Sequence, residues 1–212
     1  MSEICPTVLA ATEDDYREQM AVLEPFASRI QIDLGDGIFT TVSVPVGDVW
    51  WPEGMTPDIH LMHQRPLNVL EKLLHLNPRM IIFHAESDDV PECIDRVRQG
   101  SVKVGLALLP ETSVESQKDI ISQVDHVLIF GGKLGSFGGH ADLSQLDKIA
   151  QIDAINSQVE IGWDGGANMD NVVQLSEAGV DVINVGGAIQ KANNPENAYR
   201  ALTRQIMTLS EQ

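Results

Sequence analysis

Positive charge, cysteine and long apolar runs are all scarce in this chain. Lys and Arg number 14 against 31 Asp and Glu, a formal net charge of −17 over 212 residues. A surface that acidic repels phosphate backbones and anionic lipid, which argues against nucleic-acid and membrane partners. It also repels a small anionic ligand at long range, so a phosphorylated substrate has to be gripped locally by oriented backbone N–H groups. The two cysteines, Cys5 and Cys93, are too few for a disulfide scaffold and form no CxxC pair. Free thiols fit a reducing cytoplasm. No apolar run approaches the ~18 residues of a membrane span. Residues 1–6, MSEICP, have neither a basic n-region nor an apolar h-region. A cytoplasmic location is therefore expected. Linkers and low-complexity tracts are missing too, so residues 1–212 are expected to form one domain.

What is present is an alternation. Short apolar, β-branched runs recur at residues 7–10, 29–33, 58–62, 80–84, 103–108, 126–130, 158–163 and 182–185. Helix-like stretches lie between and after them, at 13–23, 67–76, 90–99, 114–123, 143–155, 169–177 and 195–207. Thr12 and Asn168 stand where N-caps belong, and Gly100 and Gly179 close their stretches. Strand–helix alternation implies a parallel sheet, and about eight strands in a chain this size favour closure into an α/β fold of the (β/α)₈ TIM-barrel type. The step from the second to the third strand breaks the rhythm. Residues 39–57 carry Pro45, Trp50, Trp51, Pro52 and Gly54, a poor helix. The barrel helix there is expected to be shortened or replaced by a loop, with Trp50 and Trp51 forming a lid or covering the rim.

In such barrels the chemistry sits where strands end and βα loops begin. Strand residues i and i+2 share a face, so Gln31 and Asp33 point inward together, as do Asp58 and His60. Asp164 ends the seventh run and is followed by Gly165 and Gly166. A lone Asp at a strand end is often only a turn former. Asp33, His60 and Asp164 converging at one barrel mouth form a stronger signal. Two carboxylates on opposite walls suit proton removal from one face of a carbon and return to the other. With a histidine they are equally adequate ligands for a divalent ion. The other constellation is glycine: residues 131–140 (GGKLGSFGGH) follow the sixth run, Gly165-Gly166 the seventh and Gly186-Gly187 the eighth. Loops after the late strands are a recurrent phosphate site.

The order and spacing of several segments are specific. They are Pro6-Thr7-Val8-Leu9, Asp33-Leu34-Gly35-Asp36-Gly37-Ile38-Phe39, His60-Leu61-Met62, His84-Ala85-Glu86, Gly105-Leu106-Ala107-Leu108, Ser136-Phe137-Gly138-Gly139, Asp164-Gly165-Gly166 and Gly186-Gly187-Ala188-Ile189. Together they resemble the ribulose-phosphate 3-epimerase family over nearly the whole chain. The resemblance implies a (β/α)₈ barrel of the ribulose-phosphate-binding type. It implies interconversion of D-ribulose 5-phosphate and D-xylulose 5-phosphate at C3 through an enediolate, a divalent metal (zinc, manganese, magnesium or iron) and a homo-oligomer. On this likeness Asp33 and Asp164 are the acid/base pair, and both also ligate the metal with His60. Thr7, Met62, His84, Ser136, Phe137, Gly138, Gly139, Gly165, Gly166, Gly186 and Gly187 fall at substrate-binding positions.

The departures are equally specific. Gln31 stands where the family has a second histidine ligand, and an amide oxygen is a harder, weaker ligand for zinc-like ions than imidazole. It suits Mg²⁺ or Mn²⁺, or leaves the site without a metal. Gly35 replaces a methionine, Leu109 an asparagine and Gly187 a serine, and the connection from strand two to strand three is short. Two alternatives stay open on these grounds: an epimerase for a hexulose phosphate, and a non-catalytic sugar-phosphate-binding barrel acting as sensor or partner. An Asp-x-Lys-x-x-Asp pattern, associated with decarboxylases and synthases on related barrels, is absent, with no lysine near Asp33.

Overall fold

The computed structural model describes residues 2–41, 43–134 and 139–207. Eight parallel strands pair in chain order and close on themselves, β8 returning to β1. They are β1 (Glu3–Val8), β2 (Arg29–Gly35), β3 (Thr56–Met62), β4 (Met80–His84), β5 (Lys103–Leu108), β6 (His126–Phe130), β7 (Glu160–Asp164) and β8 (Val182–Val185). Outside lie α1 (Glu13–Leu23), α2 (Leu67–Leu76), α3 (Val90–Val97), α4 (Lys118–Ile121), α5 (Lys148–Ile155), α6 (Val172–Glu177), α7 (Gly187–Gln190) and α8 (Pro195–Met207). The closed barrel and its helical ring match the architecture expected from the alternation.

Both strand faces are covered, which is why the strands read as near-continuous apolar runs. Outward residues such as Ile30, Ile32 and Leu34 of β2 join the main core beneath the helices. Inward, a small apolar layer of Met80, Ile82, Ala107 and Leu128 fills the barrel. Below it, charge closes the floor. Arg29 donates to Asp58 at 2.8 Å, to Glu3 at 3.0 Å and to Glu160 at 2.8 and 3.0 Å. Arg79 joins Asp58 at 2.7 Å, and His126 meets Glu160 at 2.9 Å. Asp58 shares a face with His60, as its spacing implied, but it stands at the opposite end of the barrel and belongs to this floor.

Several boundaries differ from the sequence expectation. β1 starts at Glu3 rather than at residue 7, because Glu3, Ile4 and Cys5 pair with β8 to close the barrel, and the strand runs through Pro6. Residues 143–155 divide into a 3-10 turn (Leu143–Asp147) and α5, and 114–123 into a 3-10 turn (Glu115–Gln117) and α4. Asn168 does not cap α6. Its Oδ1 accepts from the Asp170 N–H at 2.8 Å, making a turn, and the helix starts at Val172.

No α-helix lies between β2 and β3 among the described residues; a single 3-10 turn (Val46–Asp48) is there instead. The connection folds back on the strand end. The Ser43 hydroxyl accepts from the Gly35 N–H at 2.9 Å, and the Ser43 N–H donates to the Gly35 carbonyl at 3.1 Å. A Cβ on Gly35 would lie 2.1 Å from the Thr41 carbonyl oxygen, so the short connection leaves no space for a side chain there. Trp50 packs edge-on against Tyr16 of α1, whose hydroxyl donates to the Trp50 carbonyl at 2.6 Å. Trp51 packs against the main core.

Candidate active site

At the C-terminal mouth a pocket of about 230 Å³ opens between the ends of β1, β2, β3, β6, β7 and β8. Asp33 and Asp164 enter it from β2 and β7, His60 from β3. One carboxylate oxygen of each aspartate and one ring nitrogen of His60 lie within 4.8 Å of one another. Gln31, fully buried one step below Asp33, ties the group together. Its Nε2 donates to Asp33 Oδ1 at 2.8 Å and to Asp164 Oδ2 at 2.6 Å. His60 Nδ1 lies 3.1 Å from Asp33 Oδ1 and 3.4 Å from Asp164 Oδ2. Both carboxylates thus share the same two donors.

The electrostatics follow from this sharing. Burial, helped by the charge of Asp164, outweighs the hydrogen bonds and pushes Asp33 up to about 6. Burial works against charge on His60, but hydrogen bonds to Asp164 and Asp33 overcome it and lift its pKa to about 9. His84 goes the other way. Burial and the neighbouring His60 hold it down at about 4, despite Glu86. Neutral His84 therefore accepts at Nε2 from His60 Nε2–H across 2.8 Å, and its Nδ1 faces Glu86 Oε2 at 3.3 Å. Glu86 is itself fixed by the Leu109 N–H, at 3.2 Å, and by the Thr112 hydroxyl. A chain of hydrogen bonds leads from the aspartates through His60 and His84 to Glu86.

One carboxylate oxygen each of Asp33 and Asp164 and a ring nitrogen of His60 therefore cluster within 4.8 Å, with the Gln31 amide hydrogen-bonded between the carboxylates. Ligand atoms around a divalent ion with bonds of about 2.1 Å sit roughly 3 Å apart, so the set fits such an ion. The amide supplies a second indication. Gln31 turns its NH₂ to the carboxylates and leaves Oε1 buried without a partner, the orphan that an ion would engage if the amide exchanged its ends.

The rim is built of glycine. Gly165 and Gly166 have φ of +116° and +68°, and a Cβ on either would meet the backbone of the β6 loop at 2.2 and 2.5 Å. Only glycine lets the two loops close on each other here. Gly139, Gly186 and Gly187 line the same pocket, as do Thr7 and Met62. Of the residues expected at the substrate, His84 is placed differently: it is buried behind His60 and does not line the pocket. Trp50 and Trp51 do not line it either. Ser136, Phe137 and Gly138 lie outside the described residues. Sequence reasoning missed Lys133, Asn168 and Asn184, which all line the pocket, and the supporting role of Glu86. Asn184 had a signal, since it is the sole polar residue in the run Val182-Ile183-Asn184-Val185.

Fold and site define a class: a (β/α)₈-barrel enzyme with a two-aspartate, histidine-supported centre beneath a glycine rim. The family described as "Ribulose-phosphate 3 epimerase family" matches residues 3–190. A ribulose-phosphate 3-epimerase of Mycobacterium tuberculosis (strain ATCC 25618 / H37Rv) is 30% identical over 214 residues, covering 95% of this chain and 92% of that one. One from Mycobacterium leprae is 30% identical over 217 residues, covering 98% and 96%. The chain belongs to the ribulose-phosphate 3-epimerase family. Solved structures agree on the fold alone. The 3-hexulose-6-phosphate synthase of Salmonella typhimurium superposes with a TM-score of 0.73 at 13% identity, over 97% of this chain and 99% of that one. KGPDC of Streptococcus mutans gives 0.74 at 12% identity, over 98% of each chain. No helix among the described residues is long and apolar enough to cross a membrane.

Proposed function

We propose that this protein interconverts D-ribulose 5-phosphate and D-xylulose 5-phosphate by removing and returning the C3 proton, with Asp33 and Asp164 as the two carriers. The observation behind this reading is the pair itself: two carboxylates from β2 and β7, in one pocket, sharing Gln31 and His60 as donors. Epimerisation needs one ionised and one protonated carboxyl on opposite faces of the carbon, exchanging roles with direction. A carboxyl raised to about 6 is near the pH at which it can do both. His60, held protonated by the aspartates, places positive charge beside the enediolate oxygens. His84, backed by Glu86, fixes the orientation of the His60 ring. The β7 and β8 loops offer glycine backbone to the phosphate, and Thr7, Met62 and Phe130 wall the carbon chain. A divalent ion held by Asp33, His60, Asp164 and Gln31 would take the place of the His60 Nδ1 proton and would supply the positive charge at the substrate oxygens itself. A cytoplasmic setting and assembly into a homo-oligomer belong to the same reading.

Proton NMR in D₂O tests it. Deuterium should enter C3 of D-ribulose 5-phosphate with the purified protein. Asp33→Asn and Asp164→Asn should each lower the rate by at least about 10³-fold while leaving thermal unfolding nearly unchanged. Substantial exchange in both variants would remove the two-aspartate scheme, and exchange restricted to a hexulose phosphate would reassign the sugar.

A further inference from the structure

The proton carriers and the glycine rim leave one buried pocket side chain without a task. Asn184 lies on β8, in register with Asp164 of β7 on one side and Cys5 of β1 on the other. Two residues further the chain enters Gly186 and Gly187. Asn184 is 3% exposed and lines the pocket, and its carboxamide makes no hydrogen bond among the described residues. A buried amide is expensive to leave unpaired, and here the open side is the pocket itself.

We propose that Asn184 is a specificity-determining residue that hydrogen-bonds the C4 hydroxyl of the ketose phosphate. The inference rests on the function proposed above and deepens it. In a ketopentose 5-phosphate the reacting C3 lies against the two aspartates, and the phosphate on C5 lies at the glycine rim. C4 is the one carbon between them, and it carries one hydroxyl. Asn184 stands on the strand that joins those two places, beside Asp164 and just before the rim. Its carboxamide can donate and accept, so it pairs with a hydroxyl in either sense. C4 keeps its configuration while C3 inverts, so this contact is the same for both epimers and holds the chain still as the proton crosses. A substrate lacking that hydroxyl leaves the buried amide unpaired and is rejected for that reason.

The test is a two-by-two comparison. Wild-type protein and Asn184→Val are assayed on D-ribulose 5-phosphate and on its 4-deoxy analogue, with kcat and KM separated. Valine suits a strand and has no hydrogen-bonding group. The wild type should lose about tenfold in kcat/KM when the hydroxyl is removed. Asn184→Val should show a similar loss on D-ribulose 5-phosphate, chiefly in KM, and no further loss on the analogue. Should valine unfold the chain, Asn184→Thr is the second variant, and it should retain part of the discrimination. Equal losses by Asn184→Val on both compounds would mark a structural role and overturn the proposal, as would a wild type indifferent to the hydroxyl. A wild type that exchanges the C3 proton of neither sugar would overturn the epimerase reading and this inference with it.

Discussion

Gln31 has two N–H hydrogens and spends each on a different aspartate, at 2.8 and 2.6 Å. The two carboxylates are thereby held facing each other by a neutral group. A histidine at this position would present an imidazole nitrogen to the same point. Gln31→His should therefore raise affinity for Zn²⁺ by about 10- to 100-fold relative to Mn²⁺, read by isothermal titration of the metal-stripped protein. Unchanged Zn²⁺ affinity would mean that residue 31 is not a ligand. Much of this centre was legible beforehand. The i, i+2 spacing of Gln31 and Asp33 follows from strand periodicity, with His60 in register on the adjacent strand and Asp164 brought to them from β7 by closure of the barrel. The inward placement of Asn184 follows from the same rule, but a single asparagine in an apolar run carries no chemistry until its neighbours are known. The role of Glu86 was hidden for another reason: it acts through His84, and a loop carboxylate two residues after a strand histidine looks like any solvated acid.

At the scale of elements, the strands were readable because both their faces are buried and their apolar runs are bounded by turn residues. The barrel helices were less so. Residues 114–123 and 143–155 look like one helix each, yet both open with a 3-10 turn, because hydrophobic spacing does not separate a 3-10 turn from an α-turn. The missing helix after β2 was signalled by Pro45, Pro52 and Gly54, but the way the connection folds back was not. Gly35 is the pivot. Its Cα faces the Thr41 carbonyl closely enough that a Cβ would lie 2.1 Å from that oxygen. Gly35→Ala should therefore destabilise the protein by about 1–3 kcal/mol, the range for forcing an extra group into a packed site. Urea unfolding would measure it. A fully stable Gly35→Ala would show that the connection can move away, and that its fold is not set at this contact.

Across the whole molecule, chemistry and stability occupy opposite ends of one barrel. The mouth holds carboxylates that face each other, a poor arrangement for stability alone. The floor holds Arg29 and Arg79 against Glu3, Asp58 and Glu160, with His126 in hydrogen-bond contact with Glu160, and these contacts close the barrel away from the substrate. Glu160 is the acceptor common to Arg29, Arg79 and His126. Burial would raise its pKa, but the hydrogen bonds from His126 and Arg29 outweigh it and hold the carboxyl well below the usual range. A carboxyl lowered on folding contributes stability that is complete above its unfolded pKa of about 4.3 and fades as the pH falls toward the folded value. Glu160→Gln should thus cost about 1–3 kcal/mol at pH 7, less than a fully buried pair because the side chain keeps 29% exposure. The gap between variant and wild type should narrow steadily below about pH 4.5, as the wild-type carboxylate approaches protonation. Thermal unfolding of both proteins from pH 7 downward reads the gap directly, and C3 exchange at pH 7 should be unaffected by the change. A gap that persists to pH 3 would assign the loss to packing rather than to charge. A variant as stable as wild type at pH 7 would mean that the floor is held by the apolar layer of Met80, Ile82, Ala107 and Leu128 above it, with the ion pairs contributing nothing measurable.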